Sequence, residues 1–335
     1  MELKHGDVRA FIEQETGKPA HITRLERLAG GASHEAWALD VRLEGEAGAL
    51  QLVMRRSMGG ALTTLALDRQ QEFEVLRAAH ASGVPVPKPY WLASAIDERP
   101  AFFMERVEGE TVGRKLVADP AYAPLHGKLT EDFARILARI HAVDFRRYQL
   151  DAFLQQPPEG KTPAQTEITR LYRELDDLDE PHPAIELGLR WLVQREPAPR
   201  VTTFVHGDYR MGNVVVGPQG IRSVLDWEFA HIGDPVEDVG WLCVRAWRFG
   251  GASRLAGVGD IAAFLRAYRE AGGAQIDERA VFFWEVMGNV KWALGALHQA
   301  RRHLKGEERS IELASLGRIA AEMEYEMLHL IEGAA

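Results

Sequence analysis

Three side chains in one stretch of the sequence have the types and spacing for chemistry on a hard cation. They are Asp208, Asn213 five residues on, and Asp226 eighteen residues after the first. Two carboxylates and a carboxamide suit Mg2+, which prefers oxygen ligands and keeps phosphates and water in its shell. Each residue alone has an ordinary explanation, because an Asp in a turn usually serves backbone hydrogen bonds and an Asn before a strand is often a cap. The joint spacing, with His206 and Gly207 ahead and Gly233-Asp234-Pro235 behind, is what points to a site.

The surrounding pattern predicts the elements that position them. A short apolar run at 203–205 delivers His206, Gly207 and Asp208 to a polar loop, and 214–216 resume an extended pattern. Residues 217–220 make a turn, and a β-branched and apolar run at 221–225 ends on Asp226. The expected result is a strand, a loop and a hairpin that gather Asp208, Asn213 and Asp226 near one end. The protein-kinase catalytic loop has the same spacing: its Asp receives the proton of the acceptor hydroxyl, while the Asn and an Asp beyond a hairpin hold metal. The string HGDYRMGN, followed by LDWEFAHIGDPVEDVGWL, resembles the aminoglycoside phosphotransferase and choline kinase group, small-molecule relatives of the protein kinases. The resemblance runs from about Leu25 to near the C-terminus. Within that group it is most similar to the branch also found fused to acyl-CoA dehydrogenases.

The resemblance implies a nucleotide-binding N-terminal part. A short helix at 5–17 precedes strand-like runs at 22–28 and 36–43, which flank Gly30, Gly31 and Ser33. A glycine turn lets backbone N–H groups approach phosphate, although the full G-x-G-x-x-G of protein kinases is missing here. In the family a lysine near the end of the third strand holds phosphates and pairs with a glutamate on the next helix. In this sequence that strand, 49–56, ends on arginines. Arg55 takes the lysine's place by alignment, with Arg56 on the other face as the fallback. A guanidinium can hold phosphate through two parallel bonds, so the exchange is compatible with the role. The following helix, 69–81, carries Glu72 at the ion-pairing position, with Glu74 as competitor. After strands at 90–95 and 101–107, Met104, Glu105, Arg106 and Val107 resemble the linker whose backbone receives the adenine edge. Met104, Glu105 and Val107 are the residues carried over. The expected division is 1–107 as nucleotide lobe and 108–335 as catalytic and substrate lobe.

The second part reads as mostly helical, with an amphipathic helix at about 125–141, two more near 164–178 and 183–195, and long ones at 278–304 and 311–331. Gly233-Asp234-Pro235 is a helix start, Asp capping and Pro in the first turn. Asp238, one turn in, stands where kinase-like folds have an aspartate that accepts hydrogen bonds from the catalytic loop around His206. Glu228 is either an additional group near the metal or a surface residue. On 278–304, Trp284, Gly288, Lys291, Gly295, His298 and Arg302 recur at steps of four and three and share one stripe. A solvated face is the ordinary reading of such a stripe. As a site, the basic and aromatic strip Trp284, Lys291, His298 and Arg302 would suit an acceptor with negative charge and an apolar part. A cationic aminoglycoside would want carboxylates there.

Composition excludes several classes. With 46% hydrophobic and 27% charged residues the chain is ordinary for a globular protein, and 335 residues suffice for two lobes. A net charge of −9 disfavours a general nucleic-acid or anionic-membrane role. One cysteine, Cys243, permits no intrachain disulfide and no cysteine-rich zinc site. The N-terminus lacks a signal-peptide core, and no stretch of about 18 uncharged apolar residues is present, so a cytoplasmic setting is expected. The expectation is an α+β, two-lobed protein-kinase-like fold: an antiparallel sheet with a helix, then a larger helical lobe. The expected activity is Mg2+-dependent transfer of the ATP γ-phosphoryl group to a hydroxyl of a small molecule. Asp208 meets the hydroxyl, Asn213 and Asp226 hold metal, and the acceptor is anionic, such as a hydroxyacyl-CoA. An antibiotic kinase is the alternative acceptor reading. A nucleotide- or CoA-binding module without catalysis is the alternative of another class, favoured by the arginine exchange and reduced glycine loop. A zinc hydrolase lacks an evident third nitrogen ligand.

Overall fold

A computed structural model of the chain describes residues 3–28, 34–57, 66–198 and 201–333. Helix α1, His5–Thr16, ends at Gly17, whose φ of 67° is left-handed and whose N–H donates to Glu13 O. Strands β1, Ala20–Arg27, β2, His34–Leu43, and β3, Leu50–Ser57, lead to α2, Arg69–Ala81. Asp68 and Gln71 close the start of α2 with a reciprocal capping box. Strands β4, Pro89–Ile96, and β5, Arg99–Glu105, complete an antiparallel sheet of order β1-β2-β3-β5-β4.

The chain continues through α3, Gly113–Ala118, α4, His126–His141, α5, Pro163–Leu178, and α6, Pro183–Gln194. Next come β6, Thr203–Val205, β7, Val214–Gly217, β8, Gly220–Val224, and β9, His231–Gly233. Four helices end the chain: α7, Pro235–Cys243, α8, Ile261–Glu270, α9, Glu278–Leu304, and α10, Ile311–Gly333. The expected hairpin exists as β7 and β8. The strand expected before the loop is β6, which pairs with β9, three residues that carry no alternation to announce a strand. Helices α3 and α8 also went unread in the sequence.

Packing divides the chain into two compact units. The first comprises the chain to Glu110 with Val143–Phe153 and Val214–Ala230, and the second comprises Thr111–Ala142, Leu154–Asn213 and His231–Ala335. The expected cut at 107/108 assigns the β7–β8 hairpin to the catalytic lobe, whereas these contacts group it with the sheet: Val224 N–H donates to Pro85 O, and Val216 N–H to Glu110 O.

In the first unit the sheet is a layer between α1 and α2. Leu52 and Met54 of β3 join Val8 and Ile12 of α1 in one core cluster, and Phe11 stacks on Phe103 at 5.2 Å. On the opposite face Phe73 of α2 meets Phe102 of β5 at 5.8 Å. The second unit is built on α9, which packs on α7, α6, α5 and α10. A Cβ on Gly240 of α7 would lie 2.4 Å from Trp284 Cβ and 2.8 Å from Glu285 N, so only glycine lets α7 approach the α9 backbone this closely. Cys243 at the end of α7 is fully buried, and burial, with Glu285 nearby, pushes its thiol well above the usual range. Among the described residues no helix is long and apolar enough to cross a membrane.

Candidate active site

In the first unit strand alternation decides between the two arginines. Arg56 lies on the α1 face, with Nη2 at 2.6 Å from Glu35 and Nη1 at 3.2 Å from Asp97. Arg55 lies on the α2 face, with Nη1 at 2.8 Å from Glu72 Oε1 and Nη2 at 2.8 Å from Asp226 Oδ1. Glu72 is buried at 2% exposure, while its competitor Glu74 is held at the surface by Arg77. A pocket beside this ion pair has about 220 Å3 of empty space and is walled by Leu76, Phe102, Met104, Val224 and Leu225. Its chemistry is a planar apolar slot ending in Arg55 and Asp226. The amides of Glu105 and Arg106 are taken by Lys88 O and Gln51 O, which makes Val107 the next donor along the linker. Asp226 holds a left-handed φ of 64°, a conformation costly for a residue with a side chain and most often kept where function needs it. Glu228 is not a surface residue: it is 7% exposed and sits 3.6 Å from Arg69. Gly30, Gly31 and Ser33 fall outside the described residues.

In the second unit Asp208 is fixed from three sides. Its Oδ1 accepts from Trp241 Nε1 at 2.7 Å and Arg210 Nε at 3.0 Å, and its Oδ2 accepts from Asn213 Nδ2 at 2.6 Å. The same Asn213 amide also reaches Asp208 O at 3.0 Å, which turns the Asn213 carbonyl oxygen away from Asp208. Arg210 is itself seated on the Trp247 ring at 4.4 Å. Neither Trp241, Trp247 nor Arg210 was read as part of the site: α7 and the turn after it bring the two tryptophans there, while Arg210 reaches Asp208 from two residues along the same loop.

Asp238 anchors the backbone of this loop. Its two oxygens accept from His206 N at 2.8 Å and Gly207 N at 2.9 Å, and Oδ2 also meets His141 Nε2 at 3.2 Å. His141 Nδ1 then pairs with Tyr268 OH at 2.7 Å. Burial works to raise the Asp238 carboxyl, but the hydrogen bond and charge of His141, with His206, outweigh it and hold it below the usual range. His206 contributes in two ways, since its Nδ1 also accepts from Asp208 N at 3.2 Å.

A cavity with about 290 Å3 of empty space opens from this loop, touching Gly207, Asp238 and Trp241. Trp284 and Lys291 of α9 line it, as does Gly288. Lys291 Nζ lies 5.1 Å over the Trp241 ring and 3.9 Å from Glu167. His298 and Arg302 do not reach it. His298 is bonded to Glu174 O at 2.9 Å, and Arg302 to Glu308 at 2.8 Å, so helix packing and the turn after α9 take the far half of the expected strip. Glu167 and Glu237 complete the cavity and went unread, being scattered on α5 and α7. Glu167 is held at about 2, because Arg170 and Lys291 more than offset its burial. Burial raises Glu237 instead, despite His231 at 3.2 Å, and its Oε1 has no partner among the described residues. The Trp284 indole N–H is likewise buried without a partner.

The family profile described as the phosphotransferase enzyme family, APH, matches residues 24–281. The chain belongs to this family. Acyl-CoA dehydrogenase family member 10 of Mus musculus is 33% identical over 202 residues, 58% of this chain and 18% of that protein. Acyl-CoA dehydrogenase family member 11 of Homo sapiens is 29% identical over 193 residues, 56% of this chain and 24% of that protein. The chain thus matches only a fifth to a quarter of the length of these curated relatives. A Ralstonia eutropha protein assigned as an aminoglycoside phosphotransferase superposes with a TM-score of 0.78 at 22% identity, over 99% of each chain. Spectinomycin phosphotransferase in complex with ADP and spectinomycin gives 0.65 at 12% identity, over 98% of this chain and 99% of that one. At these identities the likeness shows the fold, which is protein-kinase-like. The phosphotransferase family acts on small-molecule hydroxyls, and the resemblance carried by HGDYRMGN and its downstream string is the one found.

Proposed function

We propose that this phosphotransferase moves the γ-phosphoryl group of ATP to a hydroxyl of an anionic small molecule, a hydroxyacyl-CoA being the leading acceptor. The observation that carries the reaction class is the Asp208 carboxylate, preorganised by Trp241, Arg210 and Asn213 beside the cavity that Gly207 and Trp241 line. In this reading Asp208 takes the hydroxyl proton as the new oxygen–phosphorus bond forms and the bond to the ADP oxygen breaks. Arg55 holds the phosphates and is itself held by Glu72. The apolar slot at Met104 and Phe102 receives the base, with Val107 and Glu105 at its linker edge.

Among the described residues no group of three His, Cys, Asp or Glu side chains could hold a metal. Mg2+ needs no such group, being bound by one or two protein oxygens plus substrate phosphates. Asp226 and Asn213 would supply those oxygens, and the metal would neutralise charge developing on the phosphoryl group. Nucleotide use is supported by the ADP held in the spectinomycin phosphotransferase structure.

Two observations support the acceptor. Lys291 brings positive charge to a cavity faced by Trp241 and Trp284, and the curated relatives carry the acyl-CoA dehydrogenase name. Carboxylates at Glu167 and Glu237 favour a second reading, a cationic antibiotic. It is the weaker one, because Glu167 is already matched by Arg170 and Lys291, and Glu237 lies 3.2 Å from His231. A screen for ADP release with Mg2+, ATP and hydroxyacyl-CoA thioesters, choline-like alcohols, sugars, macrolides and aminoglycosides tests both. Turnover on hydroxyacyl-CoA is expected; a polycationic aminoglycoside as best acceptor overturns the anionic assignment. Nucleotide binding with no turnover on any acceptor would point to the binding-module reading.

A further inference from the structure

Five charged side chains of the first unit form one continuous run. Glu228 Oε2 lies 3.6 Å from Arg69 Nη2, and Arg69 Nη1 lies 2.5 Å from Glu72 Oε2. Glu72 Oε1 then meets Arg55 Nη1 at 2.8 Å, and Arg55 Nη2 meets Asp226 Oδ1 at 2.8 Å. The run leaves the Asp226-Trp227-Glu228 segment at one end and returns to it at the other, so it is a ring closed by two peptide bonds. A backbone bond from Leu67 N to Glu228 O at 2.7 Å ties the same segment to the approach of α2.

The side chains of Glu228, Arg69, Glu72 and Arg55 are 9%, 6%, 2% and 5% exposed, while that of Asp226 is 36% exposed. Two guanidiniums face three carboxylates, and the open end of the ring is the carboxylate assigned to metal. Buried ion pairs of this kind are weak evidence for stability but hold geometry when every partner is present. Glu72 is shared between two guanidiniums, so its grip on Arg55 depends on how strongly Arg69 draws on it. Glu228 sets that balance.

We propose that Arg69 and Glu228 are positioning residues for the nucleotide phosphates and Mg2+, acting through Glu72 on Arg55 and through the shared loop on Asp226. The proposal rests on the phosphotransferase reading of this unit. Without the Glu228 charge, Arg69 turns wholly to Glu72, Arg55 loosens, and the left-handed Asp226 loses one of its two ties to α2. Neither residue is among those that line the slot proposed to receive the base.

Calorimetry of Mg·ADP and of adenosine on parent, Glu228→Gln, Arg69→Met and the double variant tests this. Glu228→Gln is expected to weaken Mg·ADP about tenfold, the scale of coupling in a buried charge network, with adenosine affinity unchanged. The double variant is expected to bind Mg·ADP no more weakly than Arg69→Met alone, because both act through one ring. Parent-like Mg·ADP affinity in Glu228→Gln overturns the proposal, as does equal weakening of adenosine and Mg·ADP, the mark of a purely structural role. Should Glu228→Gln not fold, Arg69→Lys decides in the same way, since it keeps the charge but not the fork that spans Glu72 and Glu228. A parent that binds adenosine but not Mg·ADP would instead sink the phosphotransferase reading itself.

Discussion

Asp208 has three neighbours that restrain it and one task that needs its charge. Asp208→Asn is expected to lower kcat by about 10^2 to 10^4, the usual span for a positioned general base, while Mg·ADP affinity stays at the parent value. Turnover equal to the parent would falsify the proton-acceptor role. Arg55→Ala is expected to weaken ATP far more than adenosine, because only the phosphates feel the lost guanidinium. Equal weakening of the two in calorimetry removes Arg55 from the phosphates. Lys291→Glu is expected to raise the acceptor KM and leave that of ATP unchanged, and an unchanged acceptor KM rejects the anionic assignment. At this scale the candidates Asp208, Asn213 and Asp226 could be named from sequence, since they are adjacent enough in the chain for spacing to speak. Trp241 and Glu237 could not, because no spacing rule links these residues of α7 to Asp208, and Arg210, only two residues on, was passed over as an ordinary loop charge. Likewise only three-dimensional packing could separate Arg55 from Arg56, or send His298 and Arg302 away from the cavity that Lys291 faces.

Helix α7 carries the loop anchor, one cavity wall and the tryptophan on Asp208, so its seating on α9 matters more than its nine residues suggest. The seat is Gly240, where an added Cβ would strike the Trp284 backbone at 2.5 Å. Gly240→Ala is therefore expected to destabilise the protein by about 1 to 3 kcal/mol and to impair turnover by shifting Trp241, measurable by denaturant unfolding and kcat. A parent-like unfolding midpoint would show that the crossing can relax. Sequence reading placed the start of α7 at the Asp234 cap and the span of α9 at 278–304, and Asp234 and Asp277 both accept from backbone N–H groups in the first turn. Such caps are local signals. The closeness of the two helices is not local, and the glycine that permits it reads in sequence as an ordinary helix weakness.

At the scale of the molecule, acid stability has a named contributor. Glu167 has a folded pKa of about 2 against an ordinary value of 4.5, so its stabilisation is present above pH 4.5 and is lost as pH falls toward 2. The unfolding free energy measured across that window is expected to fall less steeply for Glu167→Gln than for the parent, by an amount on the order of 3 kcal/mol. Parallel curves would assign acid sensitivity elsewhere, Asp238 being the next carboxylate held below its usual range. The fold class was legible at this scale because the chain changes from period-two runs to long amphipathic stretches near residue 108. The interleaving of the two compact units was not, because Val143–Phe153 and Val214–Ala230 join the first unit through contacts distant in sequence.

The burial of Cys243 turns the protein into a convenient subject for site-directed labelling. Its only thiol is fully buried and held protonated, so thiolate chemistry at neutral pH has no native target until the second unit unfolds. Ellman's reagent is expected to find no thiol in the folded protein and one per chain in denaturant. A pair of surface cysteines, one introduced in each compact unit, could then carry spin or fluorescent probes without first removing Cys243. Distances read with and without Mg·ADP would then report on the labelled positions with the native thiol left in place.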